Sequence, residues 1–228
     1  MAGLLYEMRS ELPPYTNHNE KDARENIKRW LAHPMIKDPA GALSKNARWR
    51  QLELKVTAYG ALPDMEKCWE SLKEQVALIE TYPRNFSFTS KVTAYGNFIG
   101  VSGSLGKREE GNHAVLKQNE LDTSTPAEKD FLLQHQMASV IPFYFSTRQY
   151  ELALEWEERV MGFLATKAEA LERMGRLHVY TSFLGVYITL GEYQKAVDLF
   201  EMYLTEPWVK STVAVQPEIH LMGIVAHF

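Results

Sequence analysis

The sequence predicts an all-α protein made of consecutive helical hairpins. Apolar residues recur at three- and four-residue steps, helix start and stop signals bracket those stretches, and short turns return at a regular spacing. The clearest example is His178–Leu204. Tyr180, Phe183, Leu184, Tyr187 and Ile188 form one buried stripe, and Leu190-Gly191 interrupts it. Tyr193, Ala196, Val197, Phe200 and Leu204 form the next stripe. Two amphipathic helices joined by so short a turn fold back on each other.

The other elements follow in chain order. Residues 1–16, with Pro13-Pro14, read as an irregular arm. Asn17-x-x-Glu20 resembles a capping box and opens a lead helix over 17–33, which His33-Pro34 ends. A loop with Pro39 and Gly41 leads to a hairpin over 43–82. Its first helix carries Trp49, Leu52, Val56 and Tyr59, and Pro63 starts the partner, with Met65, Cys68, Trp69, Leu72, Val76 and Ile79 inward. The hairpin over 85–120 has Phe88, Val92, Tyr95 and Phe98 or Ile99 in its first helix. Its second helix is weakly apolar, with Ala114, Val115 and Leu116. Thr125-Pro126-Ala127-Glu128 is a second capping box and opens the hairpin over 126–165. Pro142 is expected to kink its first helix, and Tyr150, Ala153, Leu154 and Met161 line a single partner helix. After the hairpin over 170–205, an unpaired helix spans 216–228. The whole of 17–228 reads as one helical-repeat domain.

Two periods compete. Lys55-Val-Thr-Ala-Tyr-Gly60 recurs identically at Lys91–Gly96, 36 residues on. The bends at Pro63, Gly106, Arg148 and Gly191 are instead 43, 42 and 43 apart. Five residues past each bend sits a small residue, Cys68, Gly111, Ala153 or Ala196, which permits close helix approach. Four residues before it sits Tyr59, Tyr144 or Tyr187, with Ser102 as the exception. The longer period governs, and the two hexapeptides, offset by two helical turns, are expected to point the same way.

Tyr187, Leu190, Gly191, Tyr193, Ala196 and Phe200, with Pro207 beyond, resemble the tetratricopeptide repeat pattern. Leu184 and Tyr203 stand where that family prefers small residues. The resemblance implies a right-handed α-solenoid whose first helices line a concave groove for a peptide or partner helix. The bend spacing exceeds the family's 34 residues, so longer helices and loops are implied. By the same resemblance the groove draws on Lys55, Lys91, Asn97, Gln136 and Thr181.

Composition narrows the function classes. The net charge of −4 gives no electrostatic case for nucleic acid. Cys68 is alone, which suits a reducing, cytoplasmic setting without an intrachain disulfide. The amino terminus lacks a secretory pattern, and no apolar run is long enough to span a bilayer. Gly100–Lys107 lacks the glycine spacing of a phosphate loop, and no two of the seven histidines have the helical spacing of a zinc site. Ser102 lies in Gly-x-Ser-Gly rather than a nucleophile elbow. No cofactor, metal or catalytic residue is expected.

The expected function is a non-catalytic interaction scaffold or sensor module with a protein or peptide partner. The alternative is an α-helical hydrolase or nucleotide-binding enzyme. A further bend is due near position 234, so Ile219, Met222, Val225 and Phe228 are expected to lack a covering helix, through chain continuation or association at the carboxyl end.

Overall fold

The computed structural model describes residues 20–38, 42–207, 209 and 217–227, and every regular element among them is helical. The expected arm, Asn17 and the loop positions Pro39 and Gly41 lie outside the described residues. The helices gather into two compact units. The described residues through Leu105, with Asn112–Leu121, form the first; Gly106–Gly111 and the described residues from Asp122 onward form the second.

In the first unit, α1 (Glu20–Ala32) stops where His33 turns extended ahead of Pro34, and Pro34 becomes the first residue of the short α2 (Pro34–Lys37). Helix α3 (Lys45–Ala61) is capped by Ser44 and packs against α1, α2 and α4 (Met65–Thr81). It therefore buries residues on more than one side, Leu52 and Trp49 as well as Leu54 and Ala58. Ile27, Ile36, Leu54 and Ala58 make one small core cluster. Gln51, fully buried, donates from Nε2 to the carbonyls of Met35 (2.9 Å) and Asp38 (2.7 Å), fastening the segment after α2. The expected stripe of α4 is buried from Cys68 to Ile79, while Met65 at its start is half-buried. Helix α4 starts at Met65 rather than Pro63, because the Asp64 carboxylate accepts the Lys67 amide and acts as the cap.

Helix α5 (Phe88–Ser104) packs on α4, and Trp69 Nε1 donates to Ser102 Oγ at 3.1 Å. The indole thus meets a hydroxyl where the other bends carry tyrosine. Helix α6 (Arg108–Asn119) buries Ala114 and Val115, while Leu116 is exposed. Gln118, fully buried, donates to the Val92 carbonyl at 3.1 Å and ties α6 to α5.

The four bends share parts of one local geometry, most fully at Arg148 and Gly191. Pro63, Gly106, Arg148 and Gly191 are the residues with positive φ among the described ones. After three of them the next amide donates to a tyrosine carbonyl five residues back: Asp64 to Tyr59 (2.9 Å), Gln149 to Tyr144 (2.8 Å) and Glu192 to Tyr187 (2.8 Å). That is the long bond of a Schellman helix end. The small residues past the bends are all buried, and each donates its amide to the carbonyl four residues back at 3.0–3.1 Å.

In the second unit, Thr125 and Glu128 form the expected capping box of α7 (Pro126–Ser146), which runs through Pro142. The partner expected as a single helix is instead α8 (Tyr150–Leu154) and α9 (Glu157–Lys167). The Trp156 amide bonds Ala153, three residues back, which tightens the chain there and seats Trp156 against the core. Helix α10 (Arg173–Leu190) packs against α7, α8, α11 (Tyr193–Thr205) and α12 (Pro217–His227). On α11 the inward line is Ala196, Leu199, Phe200 and Tyr203; Tyr193 and Leu204, expected inside, are exposed.

Three phenylalanine rings lie against glycines. A Cβ on Gly111, Gly185 or Gly223 meets the ring of Phe143, Phe145 or Phe200 at 2.2–2.4 Å. Gly223 lets α12 approach α11, so Ile219 and Ala226 are buried, Met222 is half-buried, and Leu221, Ile224 and Val225 point outward. The expected bare stripe through Ile219 and Met222 is thus the packed side of α12. Phe228 lies outside the described residues.

Candidate functional site

Helix α5 repeats a polar side chain at every fourth position of one face: Thr89, Thr93 and Asn97. All three line an open groove in the first unit, with a volume of about 200 Å³. None of the three makes a side-chain hydrogen bond among the described residues. The opposite wall comes from α3, with Arg50, Glu53, Val56 and Thr57, and the floor includes Trp49 and Gln75. Trp49 packs against Phe86, ring centroids 4.9 Å apart, and Gln75 is 3% exposed, so the floor is held by the core.

Charge in the groove is balanced. Arg50 Nη1 lies 2.6 Å from Glu53 Oε2, and the Thr57 hydroxyl donates to the Glu53 carbonyl at 2.9 Å. Ser90 at the groove's end shares a hydrogen bond with Ser87, the cap of α5. The groups left to meet a ligand are thus the neutral hydroxyls and amide of α5.

Of the five residues expected in the groove, Asn97 lies in it. Lys55 is half-buried on α3, outside this groove; burial, with the nearby Arg48 guanidinium, holds its ammonium below the usual lysine range against the pull of Glu74. Lys91 lines a separate cavity on the other side of α5. Gln136 is 2% exposed within α7, too buried to meet a partner. Thr181, in the second unit, spends its hydroxyl on the carbonyls of Leu177 and His178. Thr89 and Thr93 escaped the sequence reading; their spacing with Asn97 was the available signal.

The buried charge sits elsewhere. Glu206, 7% exposed, accepts from Tyr180 Oη (3.0 Å) and from Arg176 (2.9 Å), joining the segment after α11 to α10. Burial first, then Glu206, pushes the Tyr180 phenol up, and burial with Glu157 does the same for Tyr187. Both are packing ties within the second unit. Burial also raises the Cys68 thiol, which makes it a poor nucleophile.

No group of three His, Cys, Asp or Glu among the described residues is placed to hold a metal, and no described helix is long and apolar enough to cross a membrane. No family model, curated protein or solved structure matches this chain.

Proposed function

We propose that the chain is a non-catalytic interaction module, a right-handed solenoid of tetratricopeptide-like hairpins that binds an extended polypeptide segment along α5. The observation that carries this reading is the line Thr89, Thr93 and Asn97, which faces an open groove without protein partners. Four residues of helix advance about 6.0 Å. Two residues of an extended chain advance about 6.6–6.8 Å. Successive side chains on α5 therefore meet every second residue of an extended segment, where backbone amides and carbonyls repeat. The balanced Arg50–Glu53 pair argues for an uncharged segment, read by its backbone and shape. The shared geometry of the four bends supports the repeat architecture. A reducing, cytoplasmic setting belongs to the same proposal and fits the buried Cys68.

The test is selection from a displayed library of short unconstrained peptides, followed by titration of the enriched sequences. The Thr93→Lys, Asn97→Lys double variant is expected to lose them, while Glu201→Lys, on an exposed site of the second unit, keeps them. Failure to enrich any peptide, or binding indifferent to the blocked groove, refutes the proposal.

A further inference from the structure

A second cavity, of about 440 Å³, opens on the other side of α5, where α4, α5 and α6 meet within the first unit. That volume is in the range of small-molecule sites. Two of its lining groups, Lys91 and Tyr95, are one helical turn apart on α5 and share the second copy of the repeated hexapeptide. Tyr95 is 3% exposed, and neither side chain has a hydrogen bond or ion pair among the described residues. The Tyr95 ring is packed in the core, while its hydroxyl, without a protein partner, opens on the cavity and is free to donate.

The other charged lining groups have neighbours of their own, although an imidazole counters a carboxylate only when protonated. Glu80 Oε1 lies 3.6 Å from His113 Nε2, and Glu120 Oε2 lies 2.8 Å from Lys117 Nζ. Lys91 is the cation left over among the described lining residues. Ile79 and Leu121 add apolar surface beside it. The set consists of an ammonium and a phenol O–H as adjacent donors, with an aliphatic wall.

We propose that Lys91 and Tyr95 hold the carboxylate of a small aliphatic acid in this cavity, with its chain against Ile79 and Leu121. One carboxylate oxygen takes the ammonium and the other the phenol proton, in two charge-assisted hydrogen bonds. Burial, with Glu80 and Glu120 adding to it, pushes the Tyr95 phenol up to about 12, so it stays a donor across the physiological range. A dianion such as phosphate fits less well, because Glu80 and Glu120 also face the space. The site is independent of the peptide groove and stands or falls separately.

The experiment is calorimetry, with methyl NMR of the full chain, using 4-methylpentanoate as the probe and 4-methylpentanamide as its uncharged counterpart. Saturable binding of the acid is expected, with shifts at Ile79 and Leu121, and none with the amide. Tyr95→Phe and Lys91→Met should each weaken it by about tenfold or more. Circular dichroism checks that both variants keep their helix content. N-acetylglycylleucine presents the same terminal group on a peptide. Equal or weaker binding of this peptide supports a free acid as ligand, and binding by the peptide alone overturns it. Absence of saturable shifts in the wild-type protein, or equal affinity in well-folded Lys91→Met, also overturns the proposal.

Discussion

Replacing Arg148 by glycine should stabilise the protein, and the size of the effect follows from one backbone angle. Arg148 has φ of +58°, in the left-handed region, at a bend where Gly106 and Gly191 stand at +66° and +77°. A side chain there costs about 1–2 kcal/mol through contact between Cβ and the following carbonyl. Glycine removes that cost and returns about 0.4–1 kcal/mol of it through the larger freedom of the unfolded chain. The Arg148 side chain is exposed and makes no hydrogen bond or ion pair among the described residues, so its loss adds little. The balance is a gain of about 0.5–1 kcal/mol. For a chain of this length that is a few degrees in Tm, about 2–4 °C per kcal/mol. Urea and thermal denaturation of Arg148→Gly measure it, with two controls. Arg148→Ala keeps the strain and should change little. Gly191→Ala introduces the strain and should lose about 1 kcal/mol. Neutral results for both Arg148→Gly and Gly191→Ala would refute the common bend geometry.

Two further perturbations probe the packing and the titration of the fold. Glu206→Ala removes a buried carboxylate from Tyr180 and Arg176 and should cost about 3–5 kcal/mol by urea denaturation, with Glu206→Gln costing less. Stability should also fall as pH rises from about 10 to about 12, because unfolded tyrosines titrate near 10, while burial holds Tyr95 up at about 12 and raises Tyr180 and Tyr187 as well. The unfolded chain then sheds protons the folded chain keeps. Urea midpoints across that range check it: Tyr95→Phe should flatten part of the fall, and a level profile in the wild type counts against buried phenols.

The bends were legible because each is a local object. A left-handed residue, a helix-end amide and a small residue one turn on sit within about ten positions, and the sequence marks all three at Gly191 and most of them elsewhere. The facing of side chains was less legible, since it depends on which neighbours pack against a helix. Helix α3 is wrapped by α1, α2 and α4, so its apolar stripe says little about which side is free. On α11, Tyr203 took the inward place expected of Leu204; its ring stacks on Phe200 and meets Tyr180 edge-on, contacts that periodicity does not resolve. The break before α9 depends on Trp156 reaching the core, a tertiary demand without a proline or glycine to announce it.

The repeated hexapeptide shows the same limit within one unit. Its two copies are offset by seven residues relative to their bends, which returns each to a similar helical face yet moves it by two turns along the axis. The Tyr59 carbonyl therefore accepts the bend amide of Asp64, while Tyr95 sits in mid-helix with its ring buried. Gly60 is exposed at a helix end, and Gly96 is buried in the body of α5. Lys91 shares a cavity with Tyr95, whereas Tyr59 lines a different one with Lys28 and Lys67, and Lys55 lies outside it. Six identical residues thus supply a helix end in one place and a pair of free donors in the other. Position relative to the bend, rather than the hexapeptide itself, decides which chemistry those side chains can perform.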